Sequence, residues 1–270
     1  MIDEDAITSD RQIHTRILGD AHFRFYPLWD VGAGDIMCYL CEPFWSTTGT
    51  DSIFEDEIAT EFEIAGRRLA LDLETLHNAL KQAEEVAAQY GIFRVLIPVH
   101  YETLAHPEMA DVYIRECNDL VWSVFEVVSF EINHPPADID RDSLGHVVNL
   151  LKPFGQNILF RVESGFTGFA NVPSENVLSV GMSLRADKRP EDEIINEVTD
   201  FAAQANEAGL QCHIHGIESL AISATAANSG YAYIGSDDIA PPLERDDTDE
   251  GLPQSIDVLK AILKARKGAS

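Results

Sequence analysis

Histidine and glutamate side chains in the second half of the chain have spacings that could hold a transition metal. His213 and His215 alternate by two in the segment QCHIH, so both would project from the same side of a strand. Glu131 and His134 lie three residues apart, and Glu163 follows the next apolar segment. Imidazole combined with carboxylate favours zinc or iron over magnesium. The alternative is that His213 is a hydrogen-bonded core histidine and His215 fills a pocket.

A second arrangement that could carry chemistry is the lone C-x-x-C of Cys38 and Cys41. Such a pair could be redox-active or form half of a metal site. No second pair with zinc spacing accompanies it, and both cysteines sit in the apolar run IMCYLC. We therefore predict that they are buried structural thiols. Four cysteines in 270 residues are typical of a reduced, intracellular chain.

The segments that would position these side chains alternate between short apolar strands and amphipathic helices. Strands are predicted at 93–99, 125–132, 157–162, 177–182 and 211–215, and the clearest helices at about 138–154, 191–208 and 218–228. Parallel neighbours need a crossover connection, so this alternation predicts a parallel sheet. The strands are apolar nearly throughout, as expected when both faces of a sheet are covered. Their number and the chain length predict an α/β barrel of the TIM type.

The N-terminal part has a different pattern. Apolar runs at 24–30 and 35–42 flank Gly32-Ala33-Gly34, which predicts a hairpin. Residues 51–91 are predicted to form a helix that ends at Gly91, with one apolar face made of Leu73, Leu76, Leu80, Ala83, Ala87 and Tyr90. The later helix at 191–208 follows Pro190 and places Ile194, Val198, Phe201 and Ala205 on one side.

The charge balance is strongly acidic, with 19 basic against 46 acidic residues and a net charge of -27. A field of this sign argues against nucleic-acid backbones and anionic membranes as partners, because both need local positive charge. The acidic start MIDEDAITSD is not a secretory signal, and no apolar run approaches the roughly 20 residues of a membrane span. We predict a cytoplasmic protein that binds neither nucleic acid nor membrane.

Five segments resemble, in order and spacing, the landmarks of the EAL domain family from about residue 23 to 243. They are FYPLWDVGAGDIMCYL, FRVLIPVHYETLAHPE, VVSFEINHP, FRVESGFTGFANV and HIHGIESLAISATAANSGYAYIGSDDIAPPL. Members of this family are bacterial phosphodiesterases that linearise cyclic di-GMP. The resemblance implies a TIM-like (β/α) barrel with one antiparallel strand. It also implies two divalent cations, held by carboxylates and an amide at the carboxyl ends of the strands.

The residues that this chemistry needs are mostly replaced. Leu40 stands at the position of the glutamate that names the family, and Pro98 at that of the asparagine. Ser179 replaces the lysine expected near the substrate. The remaining differences are Gly181 and Ser164 for two aspartates, Glu163 for a third, His215 for a glutamate and Ile234 for a glutamine. A site that has lost half of its ligands should not bind Mg²⁺ at useful concentrations.

The resemblance therefore implies a barrel without catalytic residues, metal ions or cofactors. The vestigial pocket would consist of Glu131, Glu163, His215 and Glu218. The loop with Thr167, Gly168 and Phe169 corresponds to a dimer-forming loop of the family, although Gly168 could simply turn the loop and Phe169 pack in the core. Residues 1–20 would be a leader or linker, residues 21–243 the barrel, and residues 244–270 an acidic loop followed by a C-terminal helix packed on the barrel.

We expect this chain to be a regulatory or scaffolding module of bacterial signalling that acts through an unidentified protein partner, and a homodimer is one form of such contact. Cyclic di-GMP is not the expected ligand, because most groups that would face phosphate are gone. Arg161 and Arg185 are the nearby cations that remain. Two alternatives stay open: a sensor that binds cyclic di-GMP without hydrolysing it, and a phosphodiesterase with residual activity.

Overall fold

Eight strands close into a barrel surrounded by helices in the computed structural model of the chain, which describes residues 21–47, 50–53, 65–90, 92–120, 125–237, 239 and 242–244. The strands are β1 (Ala21–Asp30), β2 (Asp35–Thr47), β3 (Thr50–Ile53), β4 (Val95–His100), β5 (Val128–Asn133), β6 (Asn157–Arg161), β7 (Ser179–Ser183), β8 (Cys212–Ile217), β9 (Tyr233–Ser236) and β10 (Leu243–Glu244). The helices are α1 (Ala65–Tyr90), α2 (Tyr101–Ala105), α3 (Pro107–Leu120), α4 (Arg141–Leu151), α5 (Glu191–Glu207) and α6 (Leu220–Ser229).

One strand of the closed barrel runs against all the others. Around the barrel the order is β1-β9-β8-β7-β6-β5-β4-β2, and β2 pairs with β1 to close it. β1 is antiparallel to both of its neighbours in the barrel, β2 and β9. Each of the other neighbouring pairs, from β2–β4 to β8–β9, is parallel. The short strands β3 and β10 extend the sheet beside β2 and β1. The predicted TIM-like barrel with one antiparallel strand is confirmed.

Side chains alternate between the helix layer and the lumen, the space that the eight strands enclose. On β5, for example, Phe130 and Ile132 belong to the large core between strands and helices, and Glu131 points the other way. A smaller apolar cluster fills one part of the lumen with Tyr26, Leu28, Cys38, Leu40, Leu96, Leu159 and Tyr233. The lumen also contains polar side chains, which are described below.

The strand predictions are confirmed, with shifts of a few residues at the ends. The hairpin of β1 and β2 turns at residues 31–34, where the amides of Gly32 and Ala33 donate to Asp30 Oδ1 at 2.8 Å. The predicted buried face of α5 is also confirmed. Cys38 and Cys41 are both buried but belong to different clusters, the lumen and the outer core, because residues three apart on a strand face opposite sides. They are not placed as a dithiol pair.

The predicted helix over residues 51–91 is wrong in its first part. Thr50–Ile53 pair with β2 as a strand, and α1 begins at Ala65. Its buried face also differs: Val86 is buried and Ala87 is exposed. The sequence pattern missed α3, although its start at Pro107 and the buried positions Ala110, Tyr113 and Cys117 follow helical spacing.

Other predictions fall outside the described residues. These are the leader or linker at 1–20 and most of the acidic loop and terminal helix at 244–270; the division of the chain into these parts stays a prediction. Within the described residues, Leu243 and Glu244 pair with Phe25 and Arg24 of β1. No helix in the described ranges is long and apolar enough to cross a membrane.

Candidate site in the barrel lumen

Two histidines of β8 meet a glutamate of β5 inside the lumen. His213 Nε2 donates to Glu131 Oε1 at 3.0 Å, and His215 Nε2 approaches the same oxygen at 3.3 Å. β6 and β7 lie between these strands in the sheet, so the contact crosses the interior of the barrel. Exposure of all three residues is 1% or less. We name them the Glu131–His213–His215 cluster.

The His213 ring is fixed from behind by β7. Ser179 Oγ lies 2.8 Å from His213 Nδ1, so its hydroxyl donates to a neutral ring whose Nε2–H faces Glu131. Gly181 is the register partner of His213, and a Cβ at Gly181 would lie 2.4 Å from His213 Nε2 and 2.3 Å from its carbonyl oxygen. Only glycine leaves this space free. Gly181 therefore makes room for the His213 imidazole, and Ser179 holds the ring by a hydrogen bond.

A chain of buried ion pairs runs beside the cluster. Arg161 of β6 lies between two carboxylates, with Nη1 3.4 Å from Glu42 Oε1 and Nε 3.8 Å from Glu131 Oε2. Arg185, just beyond β7, places Nε 2.8 Å from Glu42 Oε2 and Nη1 3.4 Å from Asp237 Oδ2. The Arg185 guanidinium also stacks 3.6 Å above the Tyr26 ring. The protein's own cations therefore neutralise the carboxylates of the lumen.

The ionisation of the cluster follows from these neighbours. Burial by itself raises the pKa of Glu131, but the facing His215, the hydrogen bonds from both imidazoles and the Arg161 guanidinium outweigh it. The result is a Glu131 pKa well below the usual range. Burial, together with the nearby His215 and Arg161, lowers the pKa of His213 more than the contact with Glu131 raises it. A carboxylate facing a neutral His213 is the arrangement that these shifts favour.

A cleft of about 480 Å³ opens at the carboxyl ends of β5, β6 and β7. Its polar lining comprises His134, Arg161, Glu163, Ser164, Ser183, Arg185, Asp187, Arg189 and Glu197. Its outermost cation, Arg189, donates to Asp187 Oδ1 at 3.1 Å and pairs with Glu197. The carboxyl ends of parallel strands are where barrels of this type place their sites.

The rim beside the cleft is built on two histidines. His134 follows β5 with a positive φ of 56°, and its Nδ1 pairs with Glu163. Its ring stacks on His100, the last residue of β4, at 5.6 Å between centroids. His100 Nδ1 donates in turn to the buried Asp72 Oδ1 at 2.7 Å. A non-glycine residue in the left-handed region costs energy, and these contacts hold it there.

The structure places the predicted pocket residues at three levels. Glu131 and His215 meet in the lumen, whereas Glu163 lies at the rim and its side chain is 69% exposed. Glu218 is exposed just beyond β8 and does not line the cleft. Leu40 is in the apolar lumen cluster, while Ile234 faces the helices and is not in the lumen.

The loop with Thr167, Gly168 and Phe169 is largely internal to this chain. Phe169 packs edge-on against Phe166 and Phe201, with centroids 5.2 and 5.1 Å away. Gly168 is buried, and a Cβ there would lie 2.8 Å from the Phe166 ring. Thr167 is the exposed member of the three. A role of the loop in dimer formation stays a prediction.

Sequence reasoning missed Glu42. It lies two residues after Leu40 on β2, so it faces the same lumen and is 5% exposed. The period-2 pattern of the strand could have indicated it. Arg161 and Arg185 were recognised as nearby cations, but their sequence positions do not reveal that both bind this one carboxylate.

Similar solved structures support the fold. No family model and no curated protein matches the sequence. A structure described as the PaMucR phosphodiesterase in complex with cyclic di-GMP is 14% identical, with a TM-score of 0.66, over 87% of this chain and 98% of its own. The Bacillus subtilis YkuI protein, crystallised with cyclic di-GMP and calcium, is 15% identical, with a TM-score of 0.65, over 100% and 64%.

The Xanthomonas citri FimX EAL domain, in complex with cyclic di-GMP, is 13% identical, with a TM-score of 0.59, over 89% of this chain and 96% of its own. The three similarities extend over at least 87% of this chain. The chain therefore has the fold of an EAL domain.

Proposed function

We propose that this chain is a non-hydrolytic EAL-like module of bacterial cytoplasmic signalling, which regulates or scaffolds through protein contacts. The observation that carries the proposal is the buried network of Glu131, Arg161, Glu42 and Arg185. The carboxylates that could hold metal ions in the lumen are paired instead with arginine side chains of the protein itself. A barrel arranged in this way keeps its shape without supporting hydrolysis.

The residues present do not fit two hard cations. Mg²⁺ and its analogues need several oxygen ligands arranged around each ion. Glu131 Oε2 faces the Arg161 guanidinium at 3.8 Å, and both oxygens of Glu42 face arginines. Leu40 adds an apolar side chain to the lumen, and Pro98, the register partner of Glu131, has no side-chain oxygen to offer. We derive no hydrolytic step through such ions.

The position that the resemblance assigns to a phosphate-facing lysine serves a different purpose. Ser179 is fully buried and bonded to His213 Nδ1. It carries no charge toward a substrate and instead supports a core imidazole. This replacement supports the same interpretation as the ion pairs, because Ser179, like Leu40, is now part of the packed interior of the barrel.

Protein contacts are the means of action that we propose. The net charge of -27 favours a basic partner surface over nucleic acid or anionic lipid. Self-association is a second form of contact and is measurable without knowing the partner. Sedimentation of the full chain over a range of concentrations and salt tests it directly: a concentration-dependent dimer supports it, and a monomer throughout limits the proposal to hetero-contacts.

Turnover is the direct test of the non-hydrolytic part. Purified protein is incubated with cyclic di-GMP and Mg²⁺ or Mn²⁺, and the linear product is measured by chromatography. We expect product formation no faster than in the matched variant Glu131→Gln. Hydrolysis by the wild type that Glu131→Gln abolishes would overturn the proposal.

A nucleotide sensor is the second candidate, and the cleft favours it. Three arginines and His134 line a space of about 480 Å³, and the similar solved structures named above contain cyclic di-GMP. These neighbours run against the expectation that this ligand is unlikely. Calorimetric titration with and without divalent metal separates the candidates. Binding that Arg189→Ala weakens, without turnover, favours the sensor; no heat in either condition favours the protein-contact module.

A further inference from the structure

We propose that the Glu131–His213–His215 cluster binds one transition-metal cation, Zn²⁺ in the first instance, in a buried site with three protein ligands. This assignment goes beyond the proposed function and does not depend on it. Two imidazoles and one carboxylate form a ligand set typical of zinc and of non-haem iron, and they differ from the all-oxygen set that magnesium prefers.

The geometry fits such an ion. The three candidate ligand atoms all lie within 4.8 Å of one another. Nε2 of His213 and Nε2 of His215 lie 3.0 and 3.3 Å from Glu131 Oε1. Ligands bound to zinc at 2.0–2.2 Å in a tetrahedron are about 3.4 Å apart, so adjustments of the three side chains bring the ligand atoms to the spacing that the ion needs.

Two buried atoms of the cluster have no hydrogen-bond partner among the described residues. Glu131 Oε2 is one of them; the Arg161 guanidinium lies 3.8 Å away, so the ion would bind at Oε1. His215 Nδ1 is the other, and it faces Glu42 Oε1 at 3.9 Å. Buried polar atoms without partners are uncommon in native proteins and call for an explanation.

The outer contacts suit histidines that bind metal through Nε2. Metal binding leaves the proton of each ring on Nδ1. Ser179 Oγ then accepts from His213 Nδ1 at 2.8 Å, and the Glu42 carboxylate, 3.9 Å from His215 Nδ1, provides a nearby negative charge for the second ring. A hydroxyl or carboxylate behind each ligating histidine is the usual support in metal sites. Arg161 lies beside Glu131 Oε2, so the ion would bind on the Oε1 side of the carboxylate.

Metal content of the full chain is the first test. The protein is produced without a polyhistidine tag in medium supplemented with zinc and iron, and bound metals are measured by mass spectrometry. We expect about one Zn²⁺ per chain. The metal is then removed with a chelator, and the apo-protein is titrated with ZnCl₂ and, separately, with CoCl₂, whose visible absorption reports nitrogen and oxygen coordination.

Variants separate the site from surface binding. His213→Gln and His215→Gln each remove a ligand, while His146→Gln changes an exposed histidine of α4 and is the matched control. Loss of a direct ligand should weaken Zn²⁺ binding by roughly 100-fold or more, since an outer partner alone accounts for about 10–100-fold. Ser179→Ala should weaken it by about 10-fold. The control should bind like the wild type.

The apo wild-type titration keeps the test decisive even if a variant fails to fold. Less than one tenth of a Zn²⁺ per chain after metal-replete production, together with no saturable binding by the apo-protein, would overturn the proposal. So would affinity that both histidine substitutions leave unchanged. None of these readouts involves cyclic di-GMP, so failure here leaves the non-hydrolytic proposal standing.

Discussion

Replacing Arg161 by methionine should destabilise the barrel far more than an equivalent change at its surface. Arg161 is 4% exposed and lies between Glu42 and Glu131, so Arg161→Met leaves two buried carboxylates without the guanidinium between them. Breaking a buried ion pair from one side costs about 3–5 kcal/mol. For a domain of this size, that corresponds to a fall in Tm of roughly 6–20 °C.

The matched control is Arg141→Met. Arg141 donates to both oxygens of Glu175, at 3.0 and 2.9 Å, but its side chain is 50% exposed. A surface pair of this kind contributes about 0–1 kcal/mol. Urea unfolding followed by circular dichroism, on chelator-treated protein, gives both free energies of unfolding.

A double variant tests the cause of the effect. Glu131→Gln removes one of the stranded charges, so Arg161→Met combined with Glu131→Gln should recover at least about 1 kcal/mol relative to additive behaviour. Mn²⁺ should stabilise Arg161→Met more than the wild type, since the freed carboxylates become ligands. If Arg161→Met costs no more than Arg141→Met, the ion pairs do not hold the lumen as we describe.

Three further predictions concern the same lumen and strands. Gly181→Ala should lower the free energy of unfolding by about 1–3 kcal/mol, because the added methyl group overpacks against His213. Gly145→Ala in α4, where a Cβ meets nothing within 4 Å, should raise it by about 0.5–1 kcal/mol. Urea unfolding measures both changes. The free energy of unfolding of chelator-treated protein should fall as pH drops below about 6.5. Burial lowers the pKa of His213, so the unfolded chain takes up the proton at a higher pH than the folded chain does. The dependence of this free energy on pH, at most about 1.4 kcal/mol per pH unit, should become weaker in His213→Gln. Cys38 and Cys41 should not react with a thiol reagent at pH 8 until urea is added, since burial raises both thiol pKa values; rapid reaction of the folded protein would contradict their placement.

The strands of the barrel could be predicted because they are apolar nearly throughout, which is how parallel strands covered on both faces appear in a sequence. The helix over 51–91 was partly wrong because its first residues have a pattern that does not exclude a strand. Thr50–Ile53 become a strand because β2 offers them an edge to pair with. That edge is a property of the tertiary structure, and no local pattern reports it.

The candidate site was predictable only in part. The alternation of His213 and His215 correctly placed both on one face, and Glu131 was expected nearby. The function of Gly181 could not be foreseen, because it depends on the register of β7 against β8, in which Gly181 pairs directly with His213. Glu42 was overlooked for a similar reason: its partners come from β6 and from the residues after β7, more than a hundred positions away along the chain.

Arg185 has a mechanical consequence for the barrel. The pairings of β1 with β9 and of β2 with β4 each consist of two register pairs. The first two strands are therefore joined to the other strands of the barrel by few backbone pairings. Arg185 contacts Tyr26 of β1, Glu42 of β2 and Asp237 just after β9, and thereby links the two sides of the β1–β9 junction from inside the barrel. Gly216, with φ of 72° and a would-be Cβ 2.5 Å from the Arg185 amide, lets the backbone come close enough. The amide protons of the β1–β9 junction should therefore exchange as slowly as those of the central parallel strands. In Arg185→Met, this junction should be the first part of the barrel to exchange.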